Sequence, residues 1–274
     1  MDSKREKLRF APFDLLARFV SRRTAAGPSP AEVPSSPFPA SVLDFEKTYD
    51  PTSGGWRVSD DAEVGFAAVE LEVGRLWYCL ARLLRPLVVF ETGTHRGYST
   101  CMIAAAIVEN NNNGRVFTFD PMEYEHLWRG TPLDEFIEFR QCPSTEVDLG
   151  SIPASFDMLV LDSDHHYETI IAELRVFEPR LRVGGHILMH DSLYFDGVGA
   201  AVQQLMADAR FEVITLDSPR TGGHPPRRPP GVTIVRKSAE GLQVEVDRAK
   251  LKWNVGNPWS KPLLRGGVRS GLEL

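Results

Sequence analysis

Cysteine is scarce in this chain, and what there is does not form a pattern: Cys79, Cys101 and Cys142 lie far apart, are odd in number and show no C-x-x-C spacing. That excludes a disulfide framework and a zinc cluster and favours a reducing compartment, so a cytoplasmic location is expected. Long apolar runs are also lacking. No stretch approaches the roughly 20 apolar residues that cross a bilayer, and no membrane span is expected. Basic charge is not in excess either, since 31 Lys and Arg face 37 Asp and Glu for a formal charge of −6. No global pull toward nucleic acid remains, and none is expected as a partner. There is no internal repeat. The N-terminal MDSKREKLRFAPFDLLARFVSRR begins basic and turns apolar, but Pro12, Asp14 and Arg18 break its middle and no small-residue cleavage site follows. It reads as an amphipathic helical arm over 1–26, packing on its own domain or joining a second copy in a homo-oligomer, rather than as a signal peptide.

What is present is enough apolar material, 42% of residues, to build one large α/β core. The stretch GPSPAEVPSSPFP, 27–39, carries five prolines and is an extended linker. Strand and helix patterns then alternate over 40–237 as one domain, and an extension of weak pattern follows over 238–274. Apolar residues at three- and four-residue steps predict a helix over Asp61–Leu84, stopped by Pro86. LVVFE at 87–91 suits a strand covered on both faces. Helix Tyr98–Glu109, strand Arg115–Asp120, strands at 136–140, 156–162 and 186–190, and a helix Tyr167–Leu181 stopped at Gly184-Gly185 continue the alternation. A helix over Gly199–Ala209, then FEVITLD at 211–217 and GVTIVRK at 231–237, ends it with a hairpin. The expected fold is α/β: a doubly wound, Rossmann-like, mostly parallel sheet of about seven strands with an antiparallel terminal hairpin strand.

Such sheets bind ligands beyond the carboxyl ends of their strands. The first strand runs into ETGTHRGYS, 91–99. Gly93 lets the turn approach a ligand, Gly97 lets the next helix begin tightly, and Ser99 is placed to help cap it. The spacing is G-x-x-x-G, not the G-x-G-x-x-G of a dinucleotide cradle, and Glu91 would repel a pyrophosphate and attract a cation. Asp120, ending the next strand, can accept hydrogen bonds from both hydroxyls of a ribose. A nucleoside with a positive group and no phosphate fits these residues. At the far end, Asp162, Asp164 and His165 come beside His190 and Asp191 on parallel neighbours, where carboxylates and imidazoles could hold a divalent cation.

E-x-G-x-x-x-G-x-S after one strand and an acid ending the next resemble the class I S-adenosylmethionine-dependent methyltransferases, over roughly residues 60–237. The resemblance implies that Glu91, Gly93, Thr94, Gly97 and Ser99 surround the methionine part of S-adenosylmethionine and Asp120 its ribose. It implies that Ser144 contacts the adenine, although relatives often carry Gly-Asp-Ser where this chain has Cys142-Pro143-Ser144. The strings D-x-D-H-x-Y-E and G-G-x-x-x-x-H-D resemble the macrocin O-methyltransferase-like branch, which methylates hydroxyls of sugars, and also the cephalosporin-hydroxylase-like proteins. By that likeness Asp162, His190 and Asp191 form a magnesium site and Asp164 is the general base; on chemical grounds the His165 imidazole is the second choice as base. His190 stands where the sugar enzymes have an acid, so manganese or no metal competes with magnesium.

A hydroxyl is a poor nucleophile because it stays protonated at neutral pH, whereas a sulfonium methyl is already activated, so the protein has one proton to manage. The expected activity is therefore O-methylation of a small or sugar-containing acceptor, assisted by a metal and a base. Asp164 could equally cap the helix that comes after it. Residues 40–60, the aromatic stretch 121–134 and the loop 218–230, with Arg227 and Arg228, are the candidates for covering the acceptor. A cofactor-binding protein without transfer activity and a nicotinamide oxidoreductase are the alternatives.

Overall fold

The computed structural model describes residues 36–57, 64–65, 67–218 and 229–238. The chain divides into two units, Met1–Ser36 and Pro37–Leu274, and the elements described belong to the second. The N-terminal arm, most of the proline-rich linker, Arg227 and Arg228, and the extension past Ser238 lie outside the described residues.

A short helix, α1 (Ala40–Glu46), leads into a small antiparallel sheet of β1 (Tyr49–Asp50), β2 (Gly55–Arg57) and β3 (Val64–Gly65). Seven strands form the main sheet: β4 (Val88–Thr92), β5 (Arg115–Asp120), β6 (Ile137–Gln141), β7 (Phe156–Leu161), β8 (Leu181–His190), β9 (Phe211–Leu216) and β10 (Val232–Lys237). Their order is β6-β5-β4-β7-β8-β10-β9. All pairings are parallel except those of β10, which runs antiparallel to both β8 and β9. The expected Rossmann-like sheet with one reversed strand is thus observed. Because successive residues of a strand point to opposite faces, β4 sends Val89 into one core and Phe90 into the other. In β7, Met158 and Val160 take the first side and Leu159 and Leu161 the second. Helices cover both: α2 (Leu71–Leu84) over α3 (Tyr98–Asn110) on one face, α4 (Tyr167–Phe177) and α5 (Asp196–Ala207) on the other. Helix α3 is apolar nearly all round because it is caught between the sheet and α2, burying Cys101 through Ile107 without a break.

Several boundaries differ from the sequence pattern. The first long helix begins at Leu71, ten residues later than its periodicity suggested, because the chain before it is used otherwise. Part of that chain forms β3 of the small sheet, which sequence reading missed. Gly184 and Gly185 do not end a helix. Helix α4 stops at Phe177, a 3₁₀ turn containing Pro179 follows, and both glycines lie within β8, Gly184 at φ +84°. Helix α5 starts three residues early, at Asp196. Among the described residues no helix is long and apolar enough to cross a membrane.

The small sheet is anchored by Trp56. Its ring is fully buried, stacks on Phe45 with centroids 4.4 Å apart and meets Tyr98 edge-on. Its indole N–H donates to the carbonyls of Val69 at 3.1 Å and Ala68 at 3.2 Å. Trp56→Ala is expected to cost about 3–5 kcal/mol of unfolding free energy in urea titration, from the cavity and the freed carbonyls. Trp56→Phe, which keeps most of the ring, should cost markedly less.

Candidate active site

A cavity of about 360 Å³ opens beyond the carboxyl ends of β4, β5, β7 and β8, within the size range of small-ligand sites. This is the edge where the order of strands reverses direction around β4 and β7, the place such sheets reserve for ligands. Gly93 and Asp120 line one end of it, and Asp162, His165, His190 and Asp191 line the other.

The turn after β4 is built to come close. Gly93 adopts φ +83°, and a Cβ there would lie 2.0 Å from the carbonyl oxygen of Asp162, so only glycine fits. Gly97, at φ +78°, begins α3, and a Cβ there would strike the Trp128 ring at 1.9 Å. Asp120 is held from both sides: its Oδ2 accepts the backbone N–H of His95 at 2.9 Å and its Oδ1 that of Met122 at 2.8 Å. His95 (φ +45°) meets Tyr124 edge-on at 4.5 Å, and both line the cavity beside Asp120.

Glu91, Thr94, Gly97 and Ser99 are not part of the lining; they form the layer beneath it. Glu91 is fully buried, and its carboxylate accepts hydroxyl hydrogen bonds from Ser99 at 2.6 Å, Thr118 at 2.8 Å and Thr100. Burial pushes its pKa up to about 7, against the pull of the three hydroxyls toward the ionised form. Thr94 shares a 2.6 Å hydrogen bond with Thr118. Ser144 is also buried away from the cavity, donating to Glu173 of α4 at 2.5 Å.

At the other end, His190 is enclosed by carboxylates. Its Nε2 lies 2.8 Å from Glu70 Oε2 and its Nδ1 3.2 Å from Asp162 Oδ1. Burial alone would lower its pKa, but Asp162, Glu70 and Asp191 outweigh this and raise it well above the usual histidine value. Both ring nitrogens thus face carboxylates, and His190 is not in the group of donor atoms that converge here. The neighbouring imidazole of His165 is in that group. His165 Nε2 makes no hydrogen bond and lies 3.3 Å from Asp191 Oδ2 and 3.8 Å from Asp162 Oδ1. Desolvation opposes its charge, yet the two carboxylates push its pKa up to about 9. One donor atom from each of Asp162, His165 and Asp191 falls within 4.8 Å of the others. Asp191 is buried with φ +55°, an unusual conformation for a non-glycine residue, and its Oδ1 has no hydrogen-bond partner.

Asp164 lies apart from this group, lining an adjoining groove and not the cavity. Its Oδ1 accepts the backbone N–H of His166 at 2.7 Å and pairs with the His166 ring. Burial opposes ionisation there, but those bonds hold its carboxyl below the usual range. It does not cap α4, whose N-cap residue is His166. The aromatic stretch 121–134 forms no α-helix: Trp128 is fully buried, His126 stacks on it at 4.2 Å, and Tyr124 is what reaches the cavity. Sequence reading missed Glu70, whose only signal was an acid set between Val69 and Leu71 in an apolar stretch, and Phe195, which stacks on His165 at 4.1 Å.

Residues 90–192 match the family model described as a methyltransferase domain. Among solved structures, the chain is similar to the O-methyltransferase of Bacillus cereus in complex with S-adenosylhomocysteine, at 16% identity and TM-score 0.55, covering 76% of this chain and 94% of that one. It is similar to the S-adenosylhomocysteine-bound methyltransferase PaMTH1 of Podospora anserina, at 17% identity and TM-score 0.54, covering 74% and 89%. The O-methyltransferase TomG of Streptomyces achromogenes, involved in tomaymycin synthesis and solved with S-adenosylmethionine, gives 16% identity and TM-score 0.52, covering 73% and 91%. No curated protein matches the chain in sequence. The segment 90–192 is thus similar to methyltransferase domains. The chain shares the fold of these solved methyltransferases.

The raised pKa of Glu91 has a consequence for stability. The folded state keeps the proton to higher pH than the unfolded chain, so stability is fullest below about pH 4.5 and is lost as pH rises through about 7. Urea unfolding across this window should show the loss, on the order of 3 kcal/mol at most. Glu91→Gln should remove that part of the pH dependence.

Proposed function

We propose that this chain is an S-adenosylmethionine-dependent O-methyltransferase acting on a hydroxyl of a small-molecule or sugar-containing acceptor. The observation that carries this reading is the division of one cavity into two ends: Gly93 and the bound-down Asp120 at one, Asp162, His165 and Asp191 at the other. The first end suits a ribose and a chain of atoms passing close over glycine. The second suits a reaction that starts with a hydroxyl and has to remove its proton.

The acidic end attracts the sulfonium and so favours the cofactor over its neutral product. The adjoining groove, about 570 Å³, shares His165 and Phe195 with the cavity and gives the acceptor a way in over their stacked rings. An acceptor oxygen arriving there meets His165 Nε2, which we assign as proton acceptor in place of Asp164. The carboxylates of Asp162 and Asp191 keep that ring protonated at rest. A sulfonium entering beside it is a like charge, which drives the proton off and leaves the neutral imidazole that the step needs. Asp191 Oδ1, buried and without a partner, can accept a hydrogen bond from the acceptor and fix its direction.

A second reading is favoured by the same unpartnered oxygen. Asp162, His165 and Asp191 fit a divalent cation, and their mixed oxygen and nitrogen donors suit manganese better than magnesium. Such an ion would supply acidification of the acceptor hydroxyl and offset the surplus of carboxylates.

Calorimetry is expected to detect S-adenosylmethionine binding, weakened roughly tenfold or more in Asp120→Ala. With an acceptor found by its mass gain of one CH₂, His165→Gln should slow S-adenosylhomocysteine formation by about 10²-fold or more while sparing cofactor affinity. Absence of cofactor binding, or an acceptor methylated at full rate by His165→Gln, would remove the respective assignment. For the cation, manganese chloride should bind to the wild type and not to Asp191→Asn, and EDTA should stop turnover; turnover untouched by EDTA leaves His165 acting alone.

A further inference from the structure

Glu70 belongs to none of the sequence motifs, yet it is a fully buried carboxylate, a placement that costs free energy unless the group is paired. One partner is His190, whose other nitrogen faces Asp162. Carboxylates can only accept, so the ring donates to both and spans from the residue preceding α2 to the end of β7. The ring has little room to turn, since it is 4% exposed and lies edge-on to Trp77 at 6.2 Å.

The Glu70 end is held as well. The carbonyls of Ala68 and Val69 accept from the Trp56 indole, and that of Ala67 lies 2.7 Å from His95 Nδ1. The segment 67–70 is thus fastened to β2, to the turn after β4 and to the end of β8. Ala67, Ala68 and Val69 form one wall of the cavity. The same bridge that ends on Asp162 therefore ties this wall to the reactive end.

Resting on the methyl-transfer reading above, we propose that Glu70 is a positioning residue for the transfer: it holds His190, and through His190 the carboxylate of Asp162, in place at the reactive end of the cavity. Glu70 itself is outside the cavity lining. Without its far acceptor the ring would lose one of its two anchors, and the small shift its packing allows would lengthen and misalign the Nδ1–Asp162 contact. Partners of this outer kind that orient a reactive group through a histidine typically matter by about 10–100-fold in activity or affinity.

The test is proton NMR of the full chain, reading the two ring N–H resonances of His190, assigned by their joint loss in His190→Gln. Glu70→Gln keeps the size of the side chain and an acceptor oxygen, and a thermal melt checks that it folds; should it not, Glu70→Asp carries the same readings. The expected result is that both resonances shift, including the Nδ1–H that faces Asp162. A shift of the Nε2–H alone, or of neither, marks a merely local contact and overturns the proposal. Titrating the same wild-type sample with S-adenosylmethionine separates the two ideas. Binding with an unmoved Nδ1–H removes only the role of Glu70, whereas a wild type that takes up no S-adenosylmethionine removes the methyltransferase reading and the role in transfer with it.

Discussion

The close approach of two backbones governs this site. Strands β4 and β7 are parallel neighbours, and their continuation past the sheet lays Gly93 against the carbonyl of Asp162 with no space for a side chain between. Asp162 N–H donates to Thr92 O at 3.1 Å, and Gly93 N–H to Phe119 O at 2.9 Å, so the ladder persists one residue beyond the strands on both sides. The cofactor end and the reactive end of the cavity are consequently set by sheet geometry, with loops adding only the walls. Side chains supported by rigid elements hold their positions better than side chains on loops.

Charge is arranged in two tiers about that contact. Below the floor, Glu91 is surrounded by three hydroxyls and stands half-way between ionised and neutral near pH 7. Above it, Glu70, Asp162 and Asp191 surround one buried imidazole and one partly exposed one. The three carboxylates favour the charged form of the buried ring. The outer ring, His165, is 31% exposed and faces the cavity.

Much of the fold was readable because strand and helix periodicities are local. LVVFE, RVFTFD and the run ending at Leu161 have continuous apolar faces that only a doubly covered sheet satisfies, and the reversal of β10 followed from two strands without a helix between them. The small sheet at 49–65 was not readable, since strands of two or three residues carry too little alternation to register. Gly184-Gly185 misled because glycine marks a helix end and a strand irregularity equally well. In the site, Asp120, Asp162, His165 and Asp191 were found because each lies at or just past the end of a strand. Glu91 and Ser99 were found as a motif, but their hydroxyl and carboxylate are spent on each other, which spacing cannot reveal. The exchange of His190 for His165 among the possible ligands depended on Glu70, 120 residues away in sequence, and no local pattern carries such a contact.

The fit between Gly97 and Trp128 ties two parts of the chain that are otherwise independent. The indole occupies the volume that any larger residue at 97 would need. Divergence at either position is therefore constrained by the other: a descendant that gained a β-carbon in the turn would have to shrink the aromatic first, and one that lost the aromatic would open a hole beneath the start of α3. The segment around Tyr124 can thus vary while remaining pinned at this single point.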